Sequence, residues 1–412
     1  MPNLKPFAQC GLAAVTAATL AGPAQASGFR VPEISAAGLG TSNALVANTS
    51  EPGALPYNPA AMSFHQGNQL VAGVTLIQPD MSVTPDGGTK TDTVGKDTFT
   101  VPNIYLKGEA SGDWSWGIGI NAPFGLEVRW PKDTFPVFAG PLDTAEPELS
   151  KLKMVNFNPN VSRKVGPNTS IAFGINFYEV RNVALNTHGL NVEGSGDGIG
   201  FNIGIIHQQG KWTVGGSYRS PVETDISGAV HGYAATTSIE FPAMLQVGAA
   251  YQASSRVLVE LDVDWTGWSS FDKVEISAPT APSPIPTQIT STNKWDDSTG
   301  VRLGVTWQIS PKTRVRFGYS VEETPQPDEY FSARIPDNDR QFASIGFTHD
   351  MGGWSIEGGY MYVKVDDRTV NSQVSYAAKA LGGDTDPNGT DAFNGKYESS
   401  ANLLAIGITK RF

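Results

Sequence analysis

The connections in this chain alternate in length, and that alternation limits what it can fold into. Short turns stand at Glu109-Ala110-Ser111-Gly112, Gly166-Pro167-Asn168-Thr169, Gln208-Gln209-Gly210-Lys211, Ala253-Ser254-Ser255, Ser310-Pro311-Lys312 and Asp350-Met351-Gly352-Gly353. They carry the Gly, Pro, Ser and Asn that tight hairpins favour. Longer polar stretches fall between them, near 84–97, 131–151, 186–197, 230–238, 277–295, 323–338 and 371–398. Six short and seven long connections join fourteen strand-like segments. A soluble sandwich has no reason to sort its loops by length to one end. A transmembrane barrel does, with short periplasmic turns, long extracellular loops and an even number of strands. The expected fold is therefore all-β, a fourteen-stranded antiparallel transmembrane β-barrel.

The faces of the strands agree. In VLVELDVDW, Val257, Val259, Leu261, Val263 and Trp265 share one side, and Glu260, Asp262 and Asp264 the other. In TRVRFGY, Val315, Phe317 and Tyr319 oppose Arg314, Arg316 and Gly318. Leu404, Ile406, Ile408 and Phe412 lie together in the last segment, interrupted by Lys410, whose stem can snorkel. An apolar side toward lipid and a polar side toward a lumen produce this pattern. Trp212, Trp265, Trp268, Trp307 and Tyr360 are expected in interfacial girdles. The acids of 260–264 and Arg302, Arg314 and Arg316 are expected to form an internal charge network; one of these arginines meeting a substrate carboxylate is the alternative.

Residues 1–26 read as an export signal, with Lys5, an apolar run from Leu12 to Leu20 and the small-x-small site Ala24-Gln25-Ala26. The run is too short to span a bilayer. Cleavage there leaves 386 of the 412 residues and removes Cys10, the single cysteine. The remaining chain has no disulfide, thiol or thiolate-metal chemistry. Loss of Lys5 takes the net charge from -11 to -12, which argues against a nucleic-acid partner.

Two stretches break the strand pattern. Residues 27–65 precede the barrel segment 66–412 and hold Pro32, Pro52, Pro56 and Pro59 with Gly38, Gly40 and Gly53. Such a segment suits neither a helix interior nor a sheet ladder, yet Leu39, Leu45, Val46, Leu55, Met62 and Phe64 argue against disorder. Irregular backbone is tolerated at membrane depth when protein encloses it, so the segment is expected to be an N-terminal hatch plugging the lumen; a periplasmic tail is the alternative. In GIGINAPFGLEVRW, Pro123 removes a ladder donor and Gly125 follows. Proline inside a strand is confined to edges and bulges, so the third strand should kink at Pro123, Phe124 and Gly125. The break would open the wall sideways or form a bulge at the rim.

Together NPAAM, APFG, WTGWSSFD and GYSVEETPQPDEYFSARIPDNDR resemble the FadL family of outer-membrane transporters for long-chain fatty acids and other hydrophobic compounds. The resemblance runs from about Ser27 to Phe412. It implies a hatch motif at Asn58, Pro59 and Ala60, a lateral exit at the kinked third strand, and a monomer in the outer membrane of a Gram-negative bacterium. It also implies capture of the solute among extracellular loops, for which Phe135, Val137, Phe138, Leu142 and Leu149 are the candidates; packing of the loop on its neighbours is the alternative. Aromatic or alkane hydrocarbons are the rival substrates within the family. A general porin or an adhesin barrel are the rivals outside it. The remaining expected partners are outer-membrane lipid and lipopolysaccharide, and the barrel assembly machinery at the Phe412 strand.

Catalysis has little support. No Gly-x-Ser-x-Gly elbow occurs, and nothing joins Ser217 to His207. His65, His188, His207, His231 and His349 show no metal spacing. DTDPNGTD at 384–391 begins like a calcium loop, but Gly395 stands where the bidentate glutamate belongs. Neither enzyme activity, a cofactor nor a metal is expected.

Overall fold

The computed structural model describes residues 28–95, 98–110 and 112–412; the leader read over 1–26 and the cleavage point before Ser27 lie outside them. Of the twenty strand segments among the described residues, nineteen form fourteen wall strands. These are β1 (Gln69–Pro85), β2 (Phe99–Glu109), β3 (Trp114–Asn121 and Gly125–Arg129), β4 (Pro147–Lys164), β5 (Thr169–Thr187), β6 (Val192–Gln209) and β7 (Trp212–Arg219 and Val222–Val230). Then come β8 (Tyr233–Phe241 and Met244–Ser254), β9 (Val257–Thr266 and Lys273–Ser277), β10 (Gln288–Thr292 and Ser298–Ser310), β11 (Thr313–Glu322), β12 (Arg340–Asp350), β13 (Trp354–Val370) and β14 (Gly395–Arg411). Thr91–Asp92 is a short addition beside β1. Each wall strand pairs antiparallel with the next. β1 pairs with β14 from Gln69↔Arg411 to Pro85↔Gly395, which closes the barrel, as hydrocarbon demands of a spanning sheet.

Alternation sets the two faces. Glu260, Asp262 and Asp264 of β9 are buried inside, while Leu261 and Val263 face outward. Arg316 of β11 is buried and Phe317 and Tyr319 are exposed. Leu404, Ile406 and Ile408 of β14 face outward, with Leu403 and Ala405 inside. Lys410 rests 4.5 Å from the ring centroid of Trp354, so its charge is carried on an aromatic face. Trp212 and Trp307 are exposed as girdle residues should be. Trp268 is not. Gly267 ends the lower piece of β9, a 3-10 turn at Trp268–Ser270 follows, and the indole is fully buried inside the barrel.

Two connections read as long loops are strand. Residues 192–198 belong to β6, which turns back from β5 through only residues 188–191, and β7 meets β8 through His231 and Gly232. These strands extend beyond the bilayer, where the outer face is polar and apolar residues such as Val192, Ile226 and Val230 turn inward. The lipid-driven alternation that marks a strand in the sequence is then lost, and Gly-rich, acidic strand reads as loop.

The N-terminal segment fills the lumen. Ser35 caps helix α1 (Ala36–Gly40), accepting from the Gly38 N–H at 2.9 Å. Asn58 caps a 3-10 turn over Pro59–Phe64, with Pro59 at its first position, where a missing N–H costs nothing. Leu39, Leu45, Val46, Leu55 and Met62 are buried, and Phe64 is half-buried. The apolar residues of this proline-rich stretch are thus covered by the barrel's inner face, while side chains from the wall satisfy its irregular backbone.

Candidate functional site

The N-terminal segment is tied to the wall by charge. Arg302 donates to Asp264 at 2.7 Å and pairs with Glu322, and Arg30 donates to Asp264 at 3.1 Å. Glu51 of the segment meets Arg314 at 3.3 Å and also pairs with Arg316. Asp262 accepts the Val46 N–H at 2.9 Å, and Glu260 accepts from Asn48 at 3.0 Å. The acids of 260–264 and the three arginines therefore brace wall against segment. Each buried charge meets a hydrogen-bond partner or an opposite charge, as burial requires.

Asn58 makes the densest neutral junction. Its amide donates to the carbonyls of Val46 at 2.9 Å, Ile205 at 3.0 Å and Gly216 at 3.2 Å, while its oxygen accepts from Ala60 N at 3.1 Å. Gly204 makes this approach possible, because a Cβ there would stand 2.3 Å from the Asn58 oxygen. Pro59 and Ala60 are buried beside it.

Pairing between β2 and β3 stops at Ile104↔Ile120. Beyond it, Gly125–Arg129 pairs only with β4, and no ladder pair joins residues 100–103 to β3. Above the break, loop residue Val94 donates its N–H to Arg129 O at 2.9 Å. The kink at Pro123, Phe124 and Gly125 is occupied from inside: Val31 N donates to Pro123 O at 2.8 Å, Gly125 N donates to Phe29 O at 3.1 Å, and Arg30 bridges Phe124. The N-terminal segment thus supplies the backbone partner that the wall lacks there. Phe29 is seated among aromatics, with ring centroids 4.5 Å from Trp268, 5.4 Å from Phe271, 5.8 Å from Trp295 and 6.0 Å from Phe124.

A cavity of about 540 Å³ lies at this break. Its lining takes side chains from both faces of the wall. Arg30, Glu33, Met154, Phe342 and Leu403 contribute from inside, and Thr100, Pro102 and Ile120 from the lipid side. Phe124 and Gly125 line it too. A smaller chamber of about 60 Å³ shares Phe29, Leu126, Leu152 and Ile335 with it and continues toward the extracellular loops, where Ser291, Gln326 and Arg334 line it. Sequence reasoning missed Arg334. It sits within the SARIPD stretch, and no local spacing marks its neighbours, which come from several distant strands.

The loop candidates are mostly internal. Phe135 and Phe138 are buried, packed on Phe393 at 5.4 and 6.0 Å between centroids, with Trp130, Phe331 and Tyr376 in the same cluster. Leu149 is buried on β4, while Val137 and Leu142 are half-buried at the cluster's edge. Ser217 and His207 are separate: His207 contacts Thr169 at 2.8 Å on the exposed face, and Ser217 faces inward.

Comparison with known proteins matches the family model described as outer membrane protein transport protein (OMPP1/FadL/TodX) over residues 17–190 and 180–412. The chain belongs to this family. Among curated relatives of this OMPP1/FadL/TodX member, the 47 kDa outer membrane protein of Pasteurella multocida is 23% identical over the full length of both chains. The long-chain fatty acid transport protein of Escherichia coli strain K12 is 23% identical over 87% of this chain and 92% of that protein. A Pseudomonas aeruginosa FadL homologue superposes with a TM-score of 0.76 at 17% identity, covering 94% of this chain and all of that one. The Ralstonia pickettii toluene transporter TbuX gives 0.66 at 15% identity, over 90% of this chain and 98% of its own. The chain is an outer-membrane protein of a family that moves hydrophobic compounds.

Proposed function

We propose that this chain carries long-chain fatty acids passively across the outer membrane and releases them sideways through the kinked third strand. Residues 28–65 act as the hatch, and Asn58, Pro59 and Ala60 pivot it on the wall. The observation that carries this reading is the cavity at the β2–β3 break, with lining from both faces of the wall. A solute that loses its apolar hydration there gains roughly 25 cal/mol per Å² buried and reaches lipid without crossing an aqueous pore. Phe135 and Phe138 hold the loop in shape, and Val137 and Leu142 offer the apolar surface that first meets the solute. The naming of the Escherichia coli relative favours fatty acids as cargo, whereas the mainly apolar lining of the cavity would also suit an uncharged hydrocarbon.

The test is uptake of radiolabelled oleate, with toluene in parallel, by cells lacking their own transporter. Beside the wild type and an empty vector stands Ser42→Cys with Ser320→Cys, whose hydroxyls lie 2.7 Å apart across the hatch–wall contact. Wild type should exceed vector for oleate, and the oxidised pair should fall to vector level and recover on reduction. Uptake of toluene alone would transfer the reading to hydrocarbons. Uptake unchanged by the cross-link would overturn the hatch mechanism.

A further inference from the structure

We propose that the short-turn rim of the barrel from β4 to β11 is a docking surface for anionic glycerophospholipid, gripping the phosphate head groups of the leaflet on the periplasmic side. Short turns of a barrel of this kind face the periplasm. Three consecutive ones end in a cation: Lys211 stands immediately before β7, Arg256 before β9 and Lys312 before β11. Each is fixed through its backbone. The Lys211 carbonyl accepts from Gln252 N at 2.8 Å, the Arg256 carbonyl from Gln308 N at 2.7 Å and the Lys312 carbonyl from Asp350 N at 2.8 Å. All three residues are exposed, and among the described residues none of their side chains meets a carboxylate. Arg163 and Lys164, at the end of β4, rest on rings instead, 5.3 Å from the centroid of Trp114 and 5.1 Å from that of Phe64. No Asp or Glu occurs in 161–173, 203–216, 248–259 or 304–316, the stretches that make this arc.

The opposite end of the barrel is built differently. There Lys90 meets Glu398 at 2.9 Å, Lys132 meets Asp143 at 3.1 Å, Lys273 meets Glu275 at 3.0 Å and Lys396 meets Asp367 at 2.8 Å. In a chain of net charge -11, an arc of one positive sign without counter-charges needs an external anion. Its place says which. Just above the three cations runs the lipid-facing girdle, with Trp307 exposed and Trp212 exposed and 4.5 Å from Tyr251 between ring centroids. Aromatic residues at that level sit among head groups, so the cations beyond them stand at the depth of the phosphates. The surface that lipid already covers continues directly onto this charge. Lysine and arginine make charge-assisted hydrogen bonds to phosphate, and basic clusters beside a membrane are drawn to anionic lipid. Successive turns on the rim are two strand spacings apart, about 10 Å, which lets each cation reach a head group of its own.

The experiment releases the purified full chain from neutral detergent in a native mass spectrometer, with phosphatidylglycerol, phosphatidylcholine and lipid A supplied separately. One variant combines Lys211→Gln, Arg256→Gln and Lys312→Gln. A control removes the same charge from the other end with Lys90→Gln, Lys273→Gln and Lys396→Gln. Wild type and control should retain phosphatidylglycerol about tenfold better than phosphatidylcholine, and the rim variant should bring the two lipids within about twofold. The rim variant should melt with wild type, because carbonyls and not side chains hold the three turns to their neighbours. Should it fail to fold, wild type at about 0.5 M salt supplies the second measurement, since screening at that strength should remove the preference. Equal retention of the two lipids by wild type, or a preference that survives in the rim variant or in salt, overturns the docking surface. A preference that the control lowers as far as the rim variant does would reflect net charge alone and overturns it too. Lipid A retained above phosphatidylglycerol, and lost in the rim variant, overturns the choice of lipid.

Discussion

Asn58 shows how much a single neutral side chain can hold. Replacing it by alanine removes the donor from the Val46 carbonyl and the cap from the turn at Pro59–Phe64. Buried groups left without partners cost about 1–3 kcal/mol, and here the loss falls on the seating of the N-terminal segment. Asn58→Ala should therefore speed amide exchange across residues 28–65 while leaving the β1–β14 ladder protected, read by hydrogen exchange with mass spectrometry. Exchange that rose equally in the wall would sink this assignment. The sequence reads well at this scale where a residue's neighbours are local. The Asn-Pro pair reads as a turn, and the acids of 260–264 read as one face. It reads poorly where they are not. Arg334 is surrounded by residues from distant strands, and Trp268 lies in a 3-10 turn between two strand segments, which no girdle rule weighs.

Elements add constraints that single residues do not carry. The loop from 323 to 339 ends at Asp339, whose carboxyl is raised to about 6, chiefly by burial and then by the charge of Asp366. In the unfolded chain it titrates at about 3.9. The folded protein thus holds a proton that the unfolded chain has released. Its contribution to stability is present at acid pH and is lost as pH rises through about 6. Asp339→Asn should make this loop more resistant to protease at pH 7.5 and flatten the difference between pH 5 and 7.5. An unaltered pH profile would mean that other groups govern the loop. Strand number and facing were legible because lipid imposes alternation on every wall strand. The extended ends of β6, β7 and β8 were not, because beyond the bilayer their outer face is polar and Val192, Ile226, Val230 and Ile239 turn inward, which reverses that imposition. The kink was legible from Pro123 alone, yet its backbone partner was not, since Phe29 lies far away in sequence.

The whole molecule is a barrel wide enough to hold water and filled instead by its own N-terminal segment. Deleting residues 28–65 should convert it into a steadily conducting pore in planar bilayers, while the full chain stays near baseline. Equal conductance in both would mean that the segment does not seal the lumen. The closing of β1 against β14 also bears on the order of assembly. The segment precedes β1 in the chain; its Glu51 is buried against Arg314 and Arg316 of β11, and its Val46 N–H and Asn48 amide against the acids of β9. A completed ring offers no way to thread it in from the side. If residues 28–65 are lodged before the last strand docks, entry through an open end of the ring is not needed, and the wall assembles around its contents as staves are raised around a cask already filled. Substitutions in the hatch should accordingly register first in how fast the barrel matures.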